Sequence, residues 1–247
     1  MALDKLLNAL VTETGRLFGT LHDYLLAGLR RRVEPVTDPA SLRRFVETRS
    51  SYIAQTSLYG YLRTRAGMRY PELFHDEPFV VSINIAKWHM WLACLSDLSV
   101  YAGTLLERGK SDPGVDVGPF MVEMVEAILQ DTGVPEEADQ EFPQHAERVL
   151  ARLRQHDWRS PKEDAGLFSE SPRALVRYAP IVEELKRLDD EIVTNSVRFH
   201  WHEVRRELRQ QLDAEAVLAA LAGTAGSPDS RPAPADPGES ERAKTGS

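Results

Sequence analysis

The sequence predicts an all-α protein: a bundle of about six helices followed by a disordered carboxyl-terminal tail. Three observations predict it. Apolar residues recur at three- and four-residue spacing over long stretches, and no stretch alternates with period two. Residues 223–247 hold four prolines, four glycines and no aliphatic side chain larger than alanine. Such a segment buries too little surface to offset the entropy of ordering it, so residues 1–222 are expected to form the bundle and 223–247 the tail. At 247 residues, 42% of them hydrophobic, the chain is long enough to build a core without disulfides or structural metals.

The elements follow in order. Leu3, Leu7, Leu10, Leu17, Leu21 and Tyr24 share one seam, so residues 2–33 read as an amphipathic helix. Arg30, Arg31 and Arg32 close it, cations that suit a helix carboxyl end. Its apolar face suits a protein partner or peripheral membrane contact. Pro35 and Pro39 mark a turn, and residues 40–66 form a second helix through Leu42, Phe45, Val46, Ile53, Leu58 and Leu62, ended by Gly67. RYPELFHDEP is a proline-bounded connection. A third helix spans about 79–107, and shorter ones occupy 119–132 and 143–156. A long last helix, about 173–212, carries two apolar stripes: Leu185, Leu188, Ile192 and Phe199, and Val193, Val197, Trp201, Val204, Leu208 and Leu212. Together they predict a broad buried face.

The third helix contains SINIAKWHMWLACLSDLSVY, in which thirteen of twenty residues are apolar or aromatic, yet Asn84, Lys87, His89 and Asp97 interrupt it. A membrane span is disfavoured by magnitude. Lys87 and Asp97 each cost about 2.5–3.5 kcal/mol at a bilayer centre, whereas each Leu, Ile or Val returns only about 0.3–0.6 kcal/mol. A buried helix is the better account, and it requires partners for those polar groups. Ser82, His89 and Ser96 fall in line on it, a strip suited to a ligand or to the close approach of another helix.

Charge is unevenly spread. Residues 29–70 carry nine arginines and three acids, whereas 97–147 carry twelve acids and two bases. YGYLRTRAGMRY interleaves Tyr59, Tyr61 and Tyr70 with Arg63, Arg65 and Arg69, a mixture able to stack on rings or clamp an anion. The total charge of −8 disfavours nucleic acid as the partner, and pairing of these arginines with the acidic 97–147 region is the competing expectation. Asn195 interrupts an apolar seam of the last helix, and would complete an internal polar site with His89 if the two helices were neighbours.

Catalytic chemistry leaves few marks. No G-x-S-x-G occurs, Glu72 and His75 lie in a proline-flanked connection, and a single E-x-x-H cannot build a carboxylate di-metal bundle. No metal site and no cofactor are predicted. His89, Asp97 and His202 are the candidate catalytic residues; Arg63, Arg65, Arg69, Tyr59 and Asn195 are the candidate ligand-binding ones. The amino terminus lacks a secretory pattern and Cys94 is the only cysteine, so a reducing, cytoplasmic setting is expected.

LYGYLRTRAGMRYPELF followed by SINIAKWHMWLACLSDL resembles a family of uncharacterised helical bacterial proteins sometimes labelled esterase, over about residues 40–212. The resemblance implies an all-helical fold and a hydrolytic alternative, and assigns no residue a role. The sequence reading is a helical binding or assembly protein acting on a protein partner, with a ligand-processing or hydrolytic bundle as the alternative.

Overall fold

The computed structural model describes residues 34–111, 114–159 and 164–225, and every regular element among them is helical. Seven helices of nine residues or more occur among the described residues: α1 (Pro39–Ala66), α2 (Glu77–Gly109), α3 (Val117–Thr132), α4 (Phe142–Gln155), α5 (Glu170–Tyr178), α6 (Glu183–Gln211) and α7 (Ala214–Ala225). The amphipathic segment 2–33 and the tail beyond residue 225 lie outside the described residues. Residues 223–225 belong to α7 rather than to the tail.

Local chemistry sets the helix ends. Asp38 Oδ1 accepts from the amides of Ala40 and Ser41 at 2.9 Å each, and Ser41 Oγ accepts from the Asp38 amide at 3.1 Å, closing a capping box ahead of Pro39. Gly67 ends α1 at φ +54°, a conformation that penalises a side chain. The connection that follows is a 3-10 turn, Gly67–Arg69, and a single helical turn, Tyr70–Leu73. Asp116 caps α3 through the Gly118 amide.

The predicted last helix is two helices. Pro180 lacks the amide that would continue the ladder and forces Ala179 into extended backbone (φ −56°, ψ 131°), so α5 ends at Tyr178 and α6 restarts at Glu183. After α6, Val36 inserts beside Leu212: its amide donates to the Gln211 carbonyl at 2.8 Å and its carbonyl accepts from the Asp213 amide at 2.9 Å. That short bridge fastens the segment preceding α1 to the carboxyl end of α6.

α2 is the axis. It packs against α1, α3, α4, α5 and α7, and its residues from Met90 to Thr104 are buried without interruption. Among the described residues α2 is the one helix long and apolar enough to cross a membrane, and 61% of its most apolar stretch is buried inside the bundle. α6 lies at the edge, against α5 and α1. Its Val193, Val197, Trp201, Val204 and Leu208 enter the core. Its other stripe does not: Leu188, Ile192 and Phe199 are 75%, 71% and 78% exposed and Leu185 37%. The expected broad buried face is therefore corrected to a narrow one. No described element lies against the second side of α6.

Candidate functional site

The polar groups of α2 meet the acidic connection between α3 and α4. Lys87 Nζ donates to Glu137 Oε2 at 2.7 Å, and Trp88 Nε1 donates to the same oxygen at 3.3 Å. His89, 1% exposed, bonds Asp139 Oδ1 through Nε2 at 2.9 Å and His145 Nδ1 through its own Nδ1 at 2.8 Å. The Tyr178 ring lies flat on the His89 ring, with centroids 3.9 Å apart and 8° between planes. Three elements besides α2 thus fix one imidazole: the acidic connection, α4 and α5.

The charges decide its protonation. Burial lowers the His89 pKa, with Asp139 pulling the other way. Burial, His89, Arg148 and Arg177 push His145 down to about 4. Both rings are neutral near pH 7. The Asp139 carboxylate can only accept, so His89 carries its proton on Nε2 and its Nδ1 accepts from the His145 Nδ1–H. His145 is left with its lone pair on Nε2. His145 borders a cleft of ≈ 650 Å³, together with Arg148, Arg152, Gln155, Ser169 and Glu170.

Seven residues along each helix, a second contact repeats the first. Arg152 of α4 donates to Ser96 Oγ at 2.9 Å and to Asp97 Oδ1 at 2.7 Å, and its other nitrogen donates to the Leu167 carbonyl at 2.7 Å. Asp97 is fully buried, and also accepts from the Glu170 amide at 3.2 Å and from the Ser171 amide and hydroxyl at 2.8 and 2.7 Å. Burial pushes the Asp97 pKa up, and Arg152 and Ser171 oppose it. Trp201 Nε1 donates to Ser171 Oγ at 2.8 Å, so α6 joins the same network. Every oxygen of Asp97 is engaged, which makes it the cap of α5 and the counter-charge of Arg152, not a free acid.

The remaining candidates are scattered. Ser82 is exposed and donates to the Pro78 carbonyl, so only His89 and Ser96 of the expected strip face α4. Asn195 and His202 are exposed on α6, and the proposed His89–Asn195 site is not formed, because the buried His89 is held by Asp139, His145 and Tyr178 instead. Arg65 ion-pairs with Asp189, to which the Tyr61 hydroxyl also donates at 2.8 Å. Arg69 pairs with Glu72 at 3.5 Å on the surface, and Arg63 is exposed. Tyr59 is half-buried, and burial pushes its pKa to about 12. The Arg/Tyr segment therefore does not converge on one point. Of the basic segment, Arg43 reaches the acidic region through Asp131, whereas Arg49 pairs with Glu207 and Arg65 with Asp189, both on α6.

His145, Asp139 and Arg152 carry this site and were not singled out from the sequence. The available signal was the polar interruptions of α2, which demanded partners without naming them. No group of three or more metal-ligating side chains occurs among the described residues. No protein-family profile, curated protein or solved structure matches the chain.

Proposed function

We propose that this chain is a helical assembly protein whose contact surface is the outer face of α6, paired with a second copy. The observation that carries this is the uncovered stripe of Leu185, Leu188, Ile192 and Phe199 on the side of α6 opposite the core. Four large apolar side chains at helical spacing, over about 21 Å of helix, exceed the scattered apolar exposure of an ordinary surface. Charge favours a second copy in antiparallel arrangement. The exposed charges of the first half of α6 are Glu183, Glu184, Asp190 and Glu191 against Arg187, and those of the second half are Arg198, Arg206 and Arg209 against Glu203. A two-fold axis at Ile192 sets acidic half beside basic half, and Leu185 of one copy against Phe199 of the other.

The test uses the full chain. Ile192→Asp combined with Phe199→Asp is expected to give a monomer by light scattering with an unchanged helical spectrum, where the unmodified chain gives a dimer. Ile192→Cys treated with a short bis-maleimide is expected to give a covalent dimer; Cys94 is fully buried and does not compete. A monomeric unmodified chain that becomes dimeric when residues 2–33 are removed would show instead that the chain covers this face with its own amphipathic segment.

The hydrolytic alternative draws less support. A hydroxyl–imidazole contact among the described residues, Ser57 Oγ to His200 Nδ1 at 3.1 Å, is sealed between α1 and α6 with Ser57 3% exposed. The chain Asp139–His89–His145 ends on an open nitrogen and not on a nucleophile.

A further inference from the structure

Independently of the α6 pairing, the geometry points to a second site: we infer that the cleft beside His145 binds a small hydroxylated anion, its hydroxyl donating to His145 Nε2 and its anionic group on Arg148. The cleft of ≈ 650 Å³ is large enough for a small organic acid or phosphate ester and lies between α4 and the chain entering α5. Its polarity is fixed from behind. Asp139 accepts from His89, His89 accepts from His145, and Tyr178 clamps the middle ring, so His145 can offer only an acceptor on its outer nitrogen. An acceptor held in this way selects a ligand that donates, which a bare carboxylate does not.

The second half of the recognition is cationic. Arg148 sits one turn beyond His145 on α4 and acts electrostatically on both His89 and His145. It is exposed and makes no ion pair among the described residues, unlike Arg152, which is committed to Asp97. The acid on the facing wall, Glu170, is turned to Arg173 at 3.3 Å. An anion that satisfies Arg148 and presents a hydroxyl one helical turn away meets both groups.

Glycerate and glycerol 3-phosphate serve as probes, with acetate as the anion lacking a hydroxyl and glycerol as the hydroxyl lacking a charge. Calorimetry and the imidazole NMR signals of His145 are the readouts. The expected result is that at least one hydroxylated anion binds and shifts His145, that acetate and glycerol bind at least about tenfold more weakly, and that Arg148→Gln weakens binding by about tenfold or more, the size of one charge-assisted hydrogen bond. Which probe binds tells carboxylate from phosphate. Arg148 is exposed, so its variant is expected to fold, and His145→Gln checks the second contact. The inference is overturned if neither hydroxylated anion moves His145, if acetate or glycerol binds as tightly as the better of the two hydroxylated anions, or if Arg148→Gln binds as tightly as the unmodified chain.

Discussion

Four donors converge on the Asp97 carboxylate, and at the scale of single residues this is where the bundle is most vulnerable. Asp97→Asn removes the charge facing Arg152 and turns one acceptor into a donor. Breaking a buried pair by changing one partner costs about 3–5 kcal/mol, so urea unfolding is expected to show a loss of that order. Trp201→Phe, which removes the donor to Ser171 and part of a fully buried indole, is expected to cost about 2–3 kcal/mol in the same measurement. The histidines give a second residue-scale test. The folded pKa of His145, about 4, lies below its ordinary value of 6.5, so the unfolded chain takes up the proton first and stability falls as pH drops from about 6.5 to about 4. In His145→Gln that part of the pH dependence is expected to be absent from denaturation midpoints taken across this range. His89 and Asp97 were legible in the sequence because a polar group in an apolar run demands a partner. Asp139, His145 and Arg152 were not, because each lies 50 or more residues away and nothing local marks them.

At the scale of elements, helices α1 to α4 were legible within two residues at either end, from their periodicity, the prolines ahead of α1 and Gly67 behind it; the caps at Asp38 and Asp116 emerge from the structure. α5 and α6 were merged because their apolar periodicity runs on past Pro180, although the proline itself is a sufficient stop. The exposed stripe of α6 was misread for a different reason. Periodicity shows that a face is apolar, and which of two apolar faces meets the bundle depends on where its neighbours lie. Close helix approach offers a sharper test. A Cβ at Gly103 would lie 2.2 Å from Trp158 Cζ3 and 2.9 Å from Met121 Cγ. Gly103→Ala is therefore expected to lower stability by about 1–3 kcal/mol through displacement of the indole. Gly60, inside α1, has nothing within 4 Å of the same position, and Gly60→Ala is expected to raise stability by up to about 1 kcal/mol. Thermal unfolding of the pair gives opposite signs if the packing is as described.

At the scale of the whole molecule, α2 touches most of the other helices and its middle is fully buried, so it opens only when the bundle does. Amide exchange of residues 92–102 is expected to report the global unfolding free energy, while amides of α6 near Phe199 exchange by smaller openings until a second copy covers them. The repeated contact between α2 and α4 has a further consequence for how the chain finds this arrangement. His89 faces His145 and Ser96 faces Arg152, with seven residues between the members on each helix. α4 is polar overall, but its apolar stripe of Val149, Leu150 and Leu153 would still meet α2 after sliding by two turns, about 10.5 Å. Sliding α4 in one direction sets the Arg152 guanidinium against the His89 ring; sliding it in the other sets His145 beside Ser96; either way Asp97 is stranded in the core without a counter-charge. Apolar collapse alone would tolerate these misaligned dockings, whereas one buried carboxylate makes each cost several kcal/mol. The interruptions of α2 thus select one alignment with α4 over its near misses, a choice that apolar contact alone would leave open.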